Sequence, residues 1–241
     1  MFVCPKLTNF AHIMANPLKQ LAGETAVYGL STILARIINF LFVPFYTRML
    51  TTSSYGVVTE FMAYIAVFQV VLVLGLETGC FRFANKEGVN PRAVYSNALA
   101  TVFGTCFTFL AFMILFSDQI ASALGYQGFG NCIIYIGGIL ALDSTTAILF
   151  AKLRQEHKAF KFAIIKTVKI LTETAANMVL FFWYPAHVDS FMSRFVSPTP
   201  DFTYVIFAIL VSSVVCALMF LPDLLRFSFG SSNRCSPIPS R

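Results

Sequence analysis

The chain has 241 residues, of which 57% are hydrophobic and only 12% charged, about half the charged share of a soluble domain. With 27 phenylalanines among them, this apolar content exceeds what a globular core can hide, which excludes an ordinary soluble domain and makes lipid the expected solvent. A net charge of +6 could suit nucleic acid, but the cations fall in short segments between apolar runs, a pattern that orients membrane proteins instead.

In chain order, residues 1–24 read as a cytoplasmic N-terminal segment without the apolar stretch of a secretory signal. Met14, followed by ANPLKQLAGETAVYG, reads as a more natural start than Met1. A helical span needs roughly 20 apolar residues. Six runs qualify, at 25–47, 57–80, 94–116, 131–151, 162–184 and 203–221. They lack the alternation of barrel strands, so the expected fold is an all-α integral membrane protein, a bundle of about six transmembrane helices over 25–221. TTSSYG (51–56), ANKEGVNPR (84–92), SDQIASALGYQGFG (117–130) and YPAHVDSFMSRFVSPTP (184–200) read as connectors. Residues 222–241 read as a cytoplasmic linker and tail. LPDLLRF (221–227) is interfacial, and SFGSSNRCSPIPSR reads as a disordered end or as the out-of-frame end of a truncated gene.

Lys and Arg set the expected orientation. With the N-terminus in the cytoplasm, fourteen of the 17 fall inside: Lys6, Lys19, Arg82, Lys86, Arg92, Lys152, Arg154, Lys158, Lys161, Lys166, Lys169, Arg226, Arg234 and Arg241. Arg48 and Arg194 fall outside, and Arg36 lies within the first run. Six spans with both termini cytoplasmic follow, and no nucleic-acid partner is needed to explain the charge.

Ionisable residues within spans are costly and mark function by default. They are Arg36, Glu60, Glu77, Asp143 and Glu173. Arg36, Asp143 and Glu173 lie at or near the centres of their runs, as does Gln69 in the second. Asn39 is three residues from Arg36 and Asn177 four from Glu173, each on its partner's helix face. A cation at the bilayer centre costs on the order of 3 kcal/mol. Two readings stay open: an ion pair of Arg36 with Asp143 or Glu173 that only orients helices, or a solvated cavity in which Arg36 meets an anionic substrate. Arg36, Asn39, Gln69, Asp143 and Glu173 are the candidate substrate-binding residues. Glu60 and Glu77 read as interfacial or structural, and Pro44 as a kink.

Other signals are weaker. GYQGFG (125–130) lacks the Lys-Ser/Thr of a phosphate loop. KLRQEHKAFK (152–161) is a basic loop that could touch anionic headgroups. The six cysteines form no C-x-x-C pair and read as small hydrophobes. No hydrolytic or zinc-binding arrangement is visible, so neither an enzyme nor a metal or other cofactor is expected.

The stretch MANPLKQLAGETAVYGLSTILARIINFLFVPFYTRMLTTSSYGVVTEF resembles the opening of bacterial polysaccharide-biosynthesis proteins, the O-antigen and oligosaccharide flippases of the multidrug/oligosaccharidyl-lipid/polysaccharide exporter superfamily. ETGCFRFANKE, AKLRQEHKAFKFAIIKTVKIL and LPDLLRF continue the likeness in order, over about residues 14–227. The resemblance implies one lobe of a two-lobe transporter in the bacterial inner membrane. It also implies movement of an undecaprenyl-pyrophosphate-linked oligosaccharide between leaflets, with Arg36 suited to the pyrophosphate. Full members are about twice as long, so a second lobe or a second copy is expected to be needed, and truncation is the favoured explanation. The alternatives are a cation-coupled multidrug and toxin extrusion antiporter and a transport-inactive membrane fragment.

Overall fold

The computed structural model describes residues 6–84, 86, 90–183 and 201–230. Within them the chain is helical: α1 (Lys6–Met49), α2 (Thr52–Val73), α3 (Leu76–Ala84), α4 (Pro91–Leu115), α5 (Ser117–Ala123), α6 (Gly130–Gln155), α7 (Ala159–Met178) and α8 (Phe202–Gly230). A π-helical turn, Val179–Trp183, extends α7. No strand occurs among the described residues.

Local chemistry sets the boundaries. Thr51 caps α2, its hydroxyl accepting from the Ser54 backbone N–H at 3.2 Å. Leu74 (φ 53°) and Gly75 (φ 65°) enter the left-handed region and break the second apolar run into α2 and α3. Gly125 and Gly128, at φ 83° and 85°, turn the chain into α6. Here the glycine-rich GYQGFG segment is a turn.

Side-chain contacts define the directions of the helices. Tyr28 stacks edge-on against Phe162, Thr32 meets Lys166 and Phe45 meets Phe181, so α1 and α7 are parallel. Phe150 meets Phe162 and Asp143 meets Lys169, so α6 opposes α7. Lys161 meets Asp223 and Phe181 meets Tyr204, so α8 opposes α7 too. Glu60 meets Tyr126 and Glu77 meets Arg154, which aligns α2–α3 with α6. The described elements therefore make six alternating traverses: α1, α2–α3, α4, α6, α7 with its π turn, and α8.

Five of these traverses are long and apolar enough to cross a membrane: Thr25–Met49, Thr52–Ala84, Ala93–Leu115, Gly130–Gln155 and Phe202–Leu224. The sixth, α7, carries Lys161, Lys166, Lys169 and Glu173 and is too polar by composition alone, although it runs beside the others. The outside of the bundle is greasy. Leu30, Phe40, Val70, Phe107 and Leu115 are exposed apolar side chains, suited to lipid or another apolar surface rather than water. The protein is an all-α, multi-pass membrane protein.

The core gathers around α6 and α8, with Ile139, Leu140, Ile148, Tyr204, Ile206 and Phe220 fully buried. Gly137 lets α4 approach closely, since a Cβ there would lie 3.1 Å from Met113 Cβ. Cys80, Cys106, Cys132 and Cys216 are buried free thiols, as small hydrophobes should be. Helix α1 is peripheral and packs mainly along α7.

The elements overrun two sequence-based boundaries. Helix α1 already runs from Lys6, within the segment read as separate. It continues past Pro44 to Met49. Helix α8 continues through Pro222 to Gly230, across the expected linker. The connector 184–200 and the tail from 231 onward lie outside the described residues.

Candidate functional site

Helix α7 carries Lys166, Lys169, Glu173 and Asn177 at spacings of three, four and four, which aligns them along one face. That polar seam sits where α7 packs against α1, α6 and α8. Lys169 Nζ donates to Asp143 Oδ1 at 2.6 Å, with both side chains largely shielded. Glu173, one turn further, lies in the field of Lys169 and Asp143, and the Tyr46 phenol of α1 lies in its own. Asn177 is buried; its Nδ2 donates to the Glu173 backbone carbonyl at 2.9 Å, and its Oδ1 has no partner among the described residues.

At the other end of the seam, Lys166 Nζ donates to Thr32 Oγ1 at 3.3 Å and lies 5.3 Å from the centre of the Phe162 ring. The charges that reach it, Arg154, Lys169 and Arg36, are all positive. Arg36 is one turn beyond Thr32, exposed on α1, without a hydrogen bond or ion pair among the described residues.

The candidate residues thus share a level more than a contact. The parallel register places Arg36 beside Ile170, at the height of the Lys169–Asp143 pair. Asn39 is exposed on α1 without a described partner. Gln69 is half-buried on α2 and makes no described hydrogen bond. Asp143 and Glu173 come together, but around Lys169. Of the two readings left open, the ion pair of Arg36 with Asp143 or Glu173 is not formed among the described residues, because Lys169 occupies Asp143 from the neighbouring helix while Arg36 stays on the outer helix. Lys166 and Lys169 were missed as site residues because they were counted with the basic connector. Their spacing with Glu173 and Asn177 is the signal that places them on a helix face.

Several of the remaining charges hold elements together. Tyr64 and Tyr126 both donate to Glu60, at 2.7 and 2.6 Å, which ties the α5–α6 turn to α2. Donation to Glu60, then burial, pushes the Tyr126 phenol up to about 12. Glu77 pairs with Arg154, and Lys161 with Asp223 at 2.6 Å. Glu156 holds Lys152 at 3.3 Å and Lys158 at 2.6 Å. Burial pushes the Glu156 carboxyl up, but the hydrogen bond and field of Lys158 and the field of Lys152 outweigh it, leaving it below its ordinary value. The basic connector is therefore largely neutralised within the protein. No group of three or more His, Cys, Asp or Glu side chains converges as a metal site among the described residues. Compared with protein-family models, curated proteins and solved structures, the chain matches none of them.

Proposed function

We propose that the chain is one six-helix lobe of a flippase that moves a lipid-linked oligosaccharide pyrophosphate across the bacterial inner membrane for surface-polysaccharide synthesis. One observation carries this reading: Arg36, near mid-height, and Lys166, level with Thr32 one turn away, are cations without a carboxylate partner among the described residues, while Asp143 is taken by Lys169. A single cation at that depth costs on the order of 3 kcal/mol, and two adjacent ones repel each other besides. An oxyanion between α1 and α7 would offset both terms. A guanidinium can hold a phosphate through two parallel hydrogen bonds, and an ammonium can add a point charge. The resemblance of residues 14–227 to the flippases supports the same assignment. So does the exposed face of α1, which leaves room for the second lobe or second copy that alternating access requires.

Binding of undecaprenyl pyrophosphate to the purified chain in detergent tests the reading. Wild type should bind it and release it to excess inorganic pyrophosphate, whereas uncharged undecaprenol should not compete. Equal competition by undecaprenol would show an apolar groove rather than an anion site and would remove this function.

A further inference from the structure

The stretch Thr52–Ala84 is 33 residues long, which as one straight helix would run about 50 Å against about 30 Å of hydrocarbon. The break at Leu74 and Gly75 divides it. Helix α2, with 22 residues, covers about 33 Å and crosses the apolar layer alone. Helix α3 is then surplus to the crossing, and its contacts fix its level. Glu77 pairs with Arg154 in the basic last turn of α6, and Cys80 faces the Tyr95 phenol near the start of α4. Both contacts lie where the neighbouring helices reach the membrane surface. A break is least costly at this level, because headgroups and water, unlike hydrocarbon, satisfy freed backbone groups.

The side chains of α3 divide accordingly. Cys80 and Ala84 are buried, while Phe81 and Phe83 are 48% and 57% exposed on either side of Arg82, itself exposed. Lys86 is exposed just beyond, its N–H closing a turn on the Phe83 carbonyl at 3.2 Å. Neither cation's side chain has an ion pair or hydrogen bond among the described residues. The basic connector differs in this respect: Glu77 holds Arg154, Glu156 holds Lys152 and Lys158, and Asp223 holds Lys161. Glu77 is also the one acid of α3, so no carboxylate of that helix is left for Arg82. We propose that α3 is a docking element for anionic phospholipid, in which Arg82 and Lys86 engage the headgroup phosphate while Phe81 and Phe83 enter the acyl boundary. A guanidinium holds a phosphate through two parallel hydrogen bonds, and the flanking rings supply the apolar anchor of an interfacial helix. Headgroup binding thus falls on α3 rather than on the more densely charged residues 152–161. The inference rests on the membrane fold and is independent of the flippase assignment.

Tryptophan quenching by brominated lipid reads the lipid beside α3. The chain has one tryptophan, so Trp183→Phe with Phe81→Trp moves the only reporter onto this helix. The full-length variant is placed in liposomes of phosphatidylcholine and phosphatidylglycerol, with bromine on one lipid or the other. Brominated phosphatidylglycerol should compete for the α3 surface at least fivefold better than brominated phosphatidylcholine, at about fivefold per basic residue near a membrane surface. Adding Arg82→Gln should lower the preference about fivefold, and Arg82→Gln with Lys86→Gln should abolish it. Lys152→Gln with Lys158→Gln should leave it unchanged. Phe83→Trp in place of Phe81→Trp gives an independent reading should the first reporter disturb the helix. Equal competition by the two lipids at both reporter positions overturns the proposal. So does a preference that survives the loss of both α3 cations, or one that disappears with the connector lysines instead.

Discussion

Lys169 holds Asp143 at 2.6 Å across the contact between α6 and α7, joining two helices through the middle of the bundle. The pair is asymmetric, because a second carboxylate, Glu173, waits one turn away. Asp143→Asn should therefore cost only about 1 kcal/mol, the scale of one hydrogen bond, since Lys169 can turn to Glu173. Lys169→Met strands two acids and should cost about 3 kcal/mol. Chemical denaturation in detergent checks the order, and an equal cost for both variants would mean that Glu173 does not substitute.

Arg36 is exposed and lacks a partner among the described residues, so Arg36→Ala should leave stability within about 0.5 kcal/mol of wild type. The same change should weaken undecaprenyl pyrophosphate binding by at least tenfold, about 1.4 kcal/mol. Lys166→Met should weaken it by less, and Arg36→Lys should fall between. Titration of the labelled lipid, alongside the denaturation curve, separates the two effects. A loss of stability that tracks the loss of binding would make Arg36 a structural residue.

Close helix contact at Gly137 gives a packing prediction. A side chain there meets Met113 and Leu110 at 3.1–3.3 Å, whereas Gly104 on α4 has nothing within 4 Å. Gly137→Val should destabilise by about 1–3 kcal/mol. Gly104→Ala should be neutral or stabilising by up to about 1 kcal/mol, since alanine is the better helix former. Parallel unfolding curves test the contrast.

The Tyr126–Glu60 hydrogen bond predicts an alkaline limit. Folding raises the Tyr126 phenol from about 10 to about 12. Its neutral form is thus favoured in the native state. The stabilisation is complete below pH 10 and is lost as pH rises from 10 through about 12. The tyrosinate absorbance of wild type minus that of Tyr126→Phe should therefore rise near pH 12. A rise near pH 10 would mean that the contact is absent in solution.

Much of this architecture is legible in the sequence, for a reason that does not extend to the site. Lipid demands runs of about 20 apolar residues, and constant rise converts position in a run into depth. That is why Arg36, Gln69, Asp143 and Glu173 come out near mid-height. Which side chains meet depends on the rotation of each helix about its axis, and no single run encodes it. Asp143 meets Lys169 because α6 and α7 oppose each other, a fact shared between two segments. Lys166 and Lys169 look topogenic in a list of charges and become site residues only on the helix face they share with Glu173. The break at Leu74 was also hidden, since leucine seldom adopts a left-handed backbone.

The parallel register of α1 and α7 has a consequence in time. Thr32 finds Lys166 only 134 positions later in the chain. At synthesis rates of about 5–20 residues per second, Arg36 waits in the membrane for roughly 7–27 s before the helix that flanks it exists. During that interval the first helix holds its place in the lipid without the packing partner that Thr32 and Phe45 later meet.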